Sequence, residues 1–137
     1  MYKNLIEAAR EDGIKEVVID ALVRKEDGKV LLVEDLRSES PFYHFPYAQV
    51  KDEETIPQAI QRAVTENTAM EIKEVLRYLG HYDTDGKRHL NFVVEVNDPF
   101  AVEENKSISF AWLDVQEAVG YPIRDEVREM LDLYSKA

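Results

Sequence analysis

The stretch from His44 to Met70, HFPYAQVKDEETIPQAIQRAVTENTAM, holds the residues whose types and spacing could do chemistry. Glu54 and Glu66 place carboxylates on either side of Arg62, and Asn67 follows the second acid. A loop feeding a helix studded with acids can hold a divalent cation through oxygen ligands. It can also receive a phosphate where the helix begins. The same residues equally make a plain surface helix, and the local pattern leaves these readings open. Just upstream, Phe42, Tyr43, His44 and Phe45 form an aromatic cluster, with Tyr47 beyond Pro46. Such rings either pack into the core, which is their commoner use, or stack on a nucleobase. His44 could serve as a base or a metal ligand, but a lone histidine among rings is read first as a packing or hydrogen-bonding residue. Further along, the acidic loop from Phe100 to Lys106 carries Glu103 and Glu104. Two adjacent acids there read as a solvated charge run, or as the source of a general base.

These side chains need elements to hold them. Thr55 is placed to cap a helix, and Gln58, three residues on, completes a capping box. Pro57 falls in the first turn, where a missing N–H costs nothing. Asp52, Glu53 and Glu54 precede it, where the helix dipole favours negative charge. Ile56, Ala59, Ile60, Ala63 and Val64 recur at helical spacing and make one apolar face. Residues 1–13 read as a helix ending at Gly13, with Leu5, Ile6, Ala8 and Ala9 on one face. Val17 to Arg24 reads as a strand, and Asp27-Gly28 is a strong hairpin signal leading to a second strand over Lys29 to Glu34. Both strands are apolar on two faces, so helices or loops are expected on each side of the sheet. Strands over Glu71 to Leu79 and Lys87 to Val96 follow, joined near a second turn signal at Asp85-Gly86. Ser107 to Leu113 alternates, with Ile108, Phe110 and Trp112 facing one way. Asp114 is placed to cap a short helix to Val119, and Ile123 to Tyr134 reads as a last amphipathic helix. The expected fold class is α/β, an α/β/α sandwich around a mixed sheet, built as one domain over residues 1–137.

The box itself resembles the loop-helix motif of the Nudix hydrolases (MutT-like proteins). That motif runs Gly, five residues, Glu, seven residues, then Arg-Glu-apolar-any-Glu-Glu-any-Gly-apolar. Glu54, Arg62, Val64, Glu66 and Met70 fall on matching positions, whereas Ala48, Ala63, Asn67 and Ala69 replace a Gly, two acids and the second Gly. The flanks, from the strand pair upstream to Trp112-Leu113 and the terminal helix, also look like the family, so the resemblance covers residues 17–134. It implies divalent-metal-dependent hydrolysis of a nucleoside diphosphate linked to another group, with Mg2+ or Mn2+ as cofactor. On that likeness Glu66 would be a catalytic residue and direct metal ligand and Asn67 a weak ligand. Glu103 or Glu104 would supply a base, and Glu54 and Arg62 would brace the loop against the helix. Phe45 and Tyr47 would line a nucleotide site. Two formal charges are missing from the metal-facing positions, so the resemblance implies a degenerate box with weakened catalysis. The alternative is a catalytically inactive module that binds a nucleotide or a protein partner. Alanine in place of glycine also reshapes the loop, because glycine reaches positive φ at little cost and lets a phosphate approach the backbone.

Composition narrows the partners. Lys plus Arg is 17 and Asp plus Glu is 28, a net charge of −11. Duplex nucleic acid needs a basic surface, and anionic membranes repel such a chain, so neither is expected as a partner. No apolar run is long enough to span a bilayer, and the first residues lack the apolar core of a secretory signal. Hydrophobic residues make up 45% of the chain, enough for a core, and cysteine is absent, which rules out disulfides and thiol chemistry. A cytoplasmic protein with a small nucleotide-like ligand is the expectation. The N-terminal helix and the aromatic cluster are candidate contacts for a homodimer.

Overall fold

The apolar run around Ile19 becomes the middle of the sheet. The computed structural model describes residues 2–102 and 108–136. Strand β1 (Glu16–Arg24) is buried from Val18 to Val23. It lies parallel to β5 (Lys87–Val96) along its whole length, from Glu16 opposite Lys87 to Arg24 opposite Glu95. β5 in turn pairs antiparallel with β4 (Ile72–Thr84). Asp85 and Gly86 join them with φ of 52° and 77°, the positive values a two-residue hairpin turn requires. With β2 (Val30–Asp35) and β6 (Ile108–Leu113) the sheet runs β4-β5-β1-β2-β6, and β3 (Tyr47–Gln49) also pairs with β1.

The Asp27-Gly28 turn forms, but the strands it joins do not stay together. β1 and β2 are partnered only at Arg24 and Val30. The chain around residues 43–50 wedges between them. Val33 and His44 exchange backbone bonds of 2.8 and 2.9 Å, and Ala21 donates to the Pro46 carbonyl at 2.8 Å. β3 then takes the remaining edge of β1, with Val18 opposite Gln49 and Asp20 opposite Tyr47. A wedge of this kind comes from later in the chain, so the turn signal alone does not reveal it.

Successive strand residues point to opposite faces, and each face collects its own helices. On one face Ile19, Ala21, Val23, Leu90 and Phe92 pack with Ile56, Ala59, Ile60 and Val64 of α2 (Ile56–Thr68). Leu5 and Ile6 of α1 (Lys3–Glu11) close that side, while Ala8, expected inward, is exposed. On the other face Leu22, Val30, Leu32 and Val93 meet Ala118 of α3 (Val115–Val119) and Val127, Met130 and Leu131 of α4 (Asp125–Lys136). The result is an α/β/α sandwich. In β6, Ile108, Phe110 and Trp112 join the first core and Ala111 and Leu113 the second, which is the alternation read from sequence. Ile123 stands just ahead of α4, bridged to Tyr43, whose N–H donates to the Pro122 carbonyl at 2.8 Å.

Candidate functional site

The box helix begins as its sequence dictates. The Thr55 N–H donates to Gln58 Oε1 at 2.9 Å, and the Gln58 N–H returns to Thr55 Oγ1 at 3.3 Å. Arg62 then forks onto Glu54, Nε to Oε2 and Nη2 to Oε1, both at 3.0 Å. The same guanidinium donates to the Gln49 carbonyl, and the Lys51 N–H donates to Glu54 Oε1 at 3.0 Å. Glu54 and Arg62 therefore tie loop to helix. This arginine holds the Glu54 carboxyl below its ordinary range, chiefly through the hydrogen bond.

The positions expected to face a metal are engaged otherwise. Ala63 is fully buried. The Glu66 side chain is 59% exposed and lies 3.5 Å from Arg62, one helical turn back. Asn67 turns its amide nitrogen to two backbone carbonyls, Tyr47 at 2.9 Å and Ala63 at 2.6 Å. A hard divalent cation wants several oxygen ligands in a near-octahedral array. One exposed carboxylate shared with an arginine, plus one neutral amide oxygen, does not fit that need. Among the described residues, no three His, Asp or Glu side chains converge as a ligand set. Glu103 and Glu104 lie outside the described residues. At the far end of α2, Ala69 takes φ 66° where the family motif has glycine. Ala48, by contrast, sits in β3 with no positive φ, so that position makes no demand for glycine.

A cavity of about 440 Å3 opens on the α4 side of the sheet, bounded by β1, β4, β5, the 35–47 connection and the start of α4. Its floor was not foreseen. Asp20, only 6% exposed on β1, accepts from Tyr82 Oη at 3.2 Å and from His89 Nδ1 at 2.9 Å, both on Oδ2. The Tyr82 and His89 rings stack at 4.6 Å with 9° between their planes. Burial, then the charge of Asp20, pushes the Tyr82 phenol far above its ordinary range. One clue was legible in the sequence: an aspartate inside the apolar run VVIDALV must find partners, because a buried charge without them is costly.

The walls are aromatic. Arg124 lies over the Phe42 ring at 4.6 Å, Tyr43 meets Tyr121 edge-on at 5.0 Å, and His44 meets Tyr47 edge-on at 5.2 Å. His44 Nδ1 is 2.8 Å from the Phe45 carbonyl, which can only accept, so this nitrogen carries the proton. Phe45 borders the cavity but is 2% exposed and packs into the second core, whereas Tyr47 is 49% exposed. Lys87 and Arg124 bring cationic groups, and Asp35, Asp85 and Glu126 bring acids. Tyr47 is the junction between cavity and box, since its ring lines one and its carbonyl is held by Asn67 of the other.

Comparison with known proteins places this architecture. No curated protein matches the chain by sequence. Among solved structures, the E. coli ORF135 protein superposes with a TM-score of 0.71 at 21% identity, covering 91% of this chain and 92% of that one. A structure from work on MutT of Aliivibrio salmonicida and Vibrio cholerae gives 0.76 at 15% identity, covering 89% and 98%. An ADP-ribose pyrophosphatase from Streptococcus suis gives 0.71 at 14% identity, covering 88% and 90%. These likenesses establish the fold. The sequence model of the NUDIX domain matches residues 15–134, nearly the whole chain, and the protein belongs to the Nudix hydrolase family.

Proposed function

We propose that this chain binds a small nucleotide-like molecule in the Asp20–His89 cavity, and that its box helix acts as a scaffold with its metal site degenerate. The state of the box carries the reading. Ala63 offers no ligand and has no exposure, Glu66 leans on Arg62, and Asn67, its amide nitrogen held by two carbonyls, has only a neutral oxygen to offer. The cavity, by contrast, has the size typical of ligand sites, roughly 300–1,000 Å3. Its rings suit a flat heterocycle, and Lys87 and Arg124 suit a phosphate.

A second reading keeps catalysis. It has in its favour the intact Glu54–Arg62 fork and the contact between box and cavity through Tyr47. On that reading Mg2+ or Mn2+ would be held by Glu66 and Asn67 with ligands from elsewhere, Glu103 or Glu104 would act as base, and a nucleoside diphosphate linked to another group would be hydrolysed.

One experiment separates the two. Nucleoside diphosphate sugars, ADP-ribose, dinucleoside polyphosphates and nucleoside triphosphates are screened for turnover with each metal, beside Glu66→Gln, and for binding by calorimetry. Binding without turnover is the expected result. Turnover that disappears in Glu66→Gln would overturn it in favour of the metal-dependent hydrolase.

A further inference from the structure

We propose that His89, fixed by Asp20 as the tautomer protonated on Nδ1, selects the ligand by presenting Nε2 as a hydrogen-bond acceptor to an amine on a flat heterocycle. The inference rests on the cavity being the ligand site and adds which group reads the ligand.

Proton accounting fixes the tautomer. An ionised carboxylate brings lone pairs only. Tyr82 donates to Asp20 Oδ2 at 3.2 Å, and His89 Nδ1 stands 2.9 Å from the same oxygen. A second lone pair at that distance would repel, so Nδ1 carries the hydrogen. The remaining nitrogen, Nε2, lies across the ring from Asp20 and has no hydrogen-bond partner among the described residues. His89 lines the cavity. Its ring cannot turn over to exchange the two nitrogens without breaking the Asp20 bond and the stack on Tyr82. Neutral His89 is therefore an acceptor held at a set angle.

The surroundings decide which ligand benefits. Asp20 faces His89 from β1 and Tyr82 faces it from β4, while the charge of Asp83, whose partner is the neighbouring Arg88, reaches it from the other face of the sheet. Lys87 precedes it on β5 beside Arg88, which is paired with Asp83 and Asp12. From the α4 side, Glu126 and Arg124 both act on the Tyr82 phenol with opposite signs. His44 borders the same space across the cavity. Tyr82 has its hydrogen on Asp20, so it too shows the cavity only lone pairs. An exocyclic amine meets acceptors here, and a carbonyl at the same place does not. Protonation of His89 reverses the match, because Nε2 becomes a charged donor while Asp20 still holds Nδ1.

Adenosine and inosine test this directly, since one carries an amine where the other carries a carbonyl. The imidazole nitrogens of the ¹⁵N-labelled protein are observed by NMR, first free and then with each nucleoside, at pH values on both sides of the His89 titration seen in the same spectra. Nδ1–H is the expected form in the free protein. Adenosine is expected to bind about fivefold more tightly than inosine while His89 is neutral, as one hydrogen bond predicts. The order is expected to reverse once His89 is charged. His89→Phe keeps a ring against Tyr82 and should abolish the preference. A hydrogen on Nε2 in the free protein, an unchanged preference across the titration, or a preference that survives in His89→Phe would each overturn the proposal. Should His89→Phe fail to fold, the reversal in the wild type decides. Binding that ignores His89 leaves the cavity reading standing, whereas no perturbation of cavity resonances by either nucleoside removes both.

Discussion

Arg62 grips Glu54 with two parallel bonds across eight residues, and its third contact is the carbonyl of Gln49. One side chain thus joins the end of β3, the loop after it and the body of α2. Paired, partly shielded groups of this kind are costly to separate, because the partner left behind keeps its charge. Arg62→Ala should lower stability by about 2 kcal/mol, as expected for charged hydrogen bonds with a stranded acceptor. Urea unfolding measures it, and an unchanged midpoint would mean that the fork braces nothing.

The same pair has an acid signature. The Glu54 carboxyl is held below its ordinary 4.5 by the Arg62 hydrogen bond. A carboxyl depressed in the folded state stabilises above its unfolded value and ceases to do so as pH falls through the folded one. The wild type should therefore lose stability below about pH 4.5 more steeply than Arg62→Ala. Melting temperatures of the two proteins between pH 7 and pH 3 should converge. Parallel curves would show that the fork does not titrate with folding.

Ala69 is the opposite case, a residue at odds with its own backbone. Its φ of 66° is the left-handed region at the C-terminal cap of α2. Glycine adopts it without steric cost, and alanine does not. Ala69→Gly should raise stability by about 1 kcal/mol, despite the extra freedom it gives the unfolded chain. A fall in melting temperature would show that the alanine methyl contributes more than the strain costs.

Position 63 argues against simple restoration of the box. Ala63 has no exposed surface, so a glutamate there must displace neighbours or bury its carboxylate. Ala63→Glu should lower stability by about 3 kcal/mol through overpacking and desolvation. Addition of Mg2+ should not recover it. Recovery in millimolar metal, seen as a rise in melting temperature, would mean that the carboxylate finds a cation site after all.

Tyr82 supplies an alkaline counterpart. Burial and the nearby Asp20 raise its phenol pKa in the folded state. Its contribution is then complete below the ordinary tyrosine value of 10.0 and is lost as pH rises beyond it, because only the unfolded chain ionises. Tyr82→Phe should cost about 1 kcal/mol at neutral pH for the missing hydrogen bond. It should also flatten the loss of stability above pH 10. An identical alkaline slope in both proteins would place the ionising group elsewhere.

Local chemistry made much of the frame legible. Thr55 and Gln58 form the capping box their spacing demanded, Asp114 caps α3, and Asp85-Gly86 turns β4 into β5. Each of these signals is complete within a few residues. The parting of β1 from β2 was not legible, because the wedge at residues 43–50 competes with a turn already satisfied locally. Nor was the floor of the cavity. Tyr82 and His89, partners in the β4–β5 hairpin, lie 62 and 69 residues after Asp20, and only the parallel pairing of β1 with β5 brings Asp20 to them. Phe45 and Tyr47 are two residues apart in sequence, yet their burial differs sharply, because one belongs to the core and the other to the strand edge.

β3 is three residues long, and its alternation is strict: Ala48 is buried, while Tyr47 and Gln49 are exposed. Ala48 lies opposite Ile19, whose side chain belongs to the core beneath α2, and Tyr47 lies opposite Asp20 at the cavity. A shift of one residue sends every side chain of a strand to the other face. Loss or gain of a single residue between 46 and 50 would push a tyrosine or glutamine beneath the box helix and strip the cavity of its exposed ring. Descendants of this chain can exchange side chains across that segment, but its length is not free to drift.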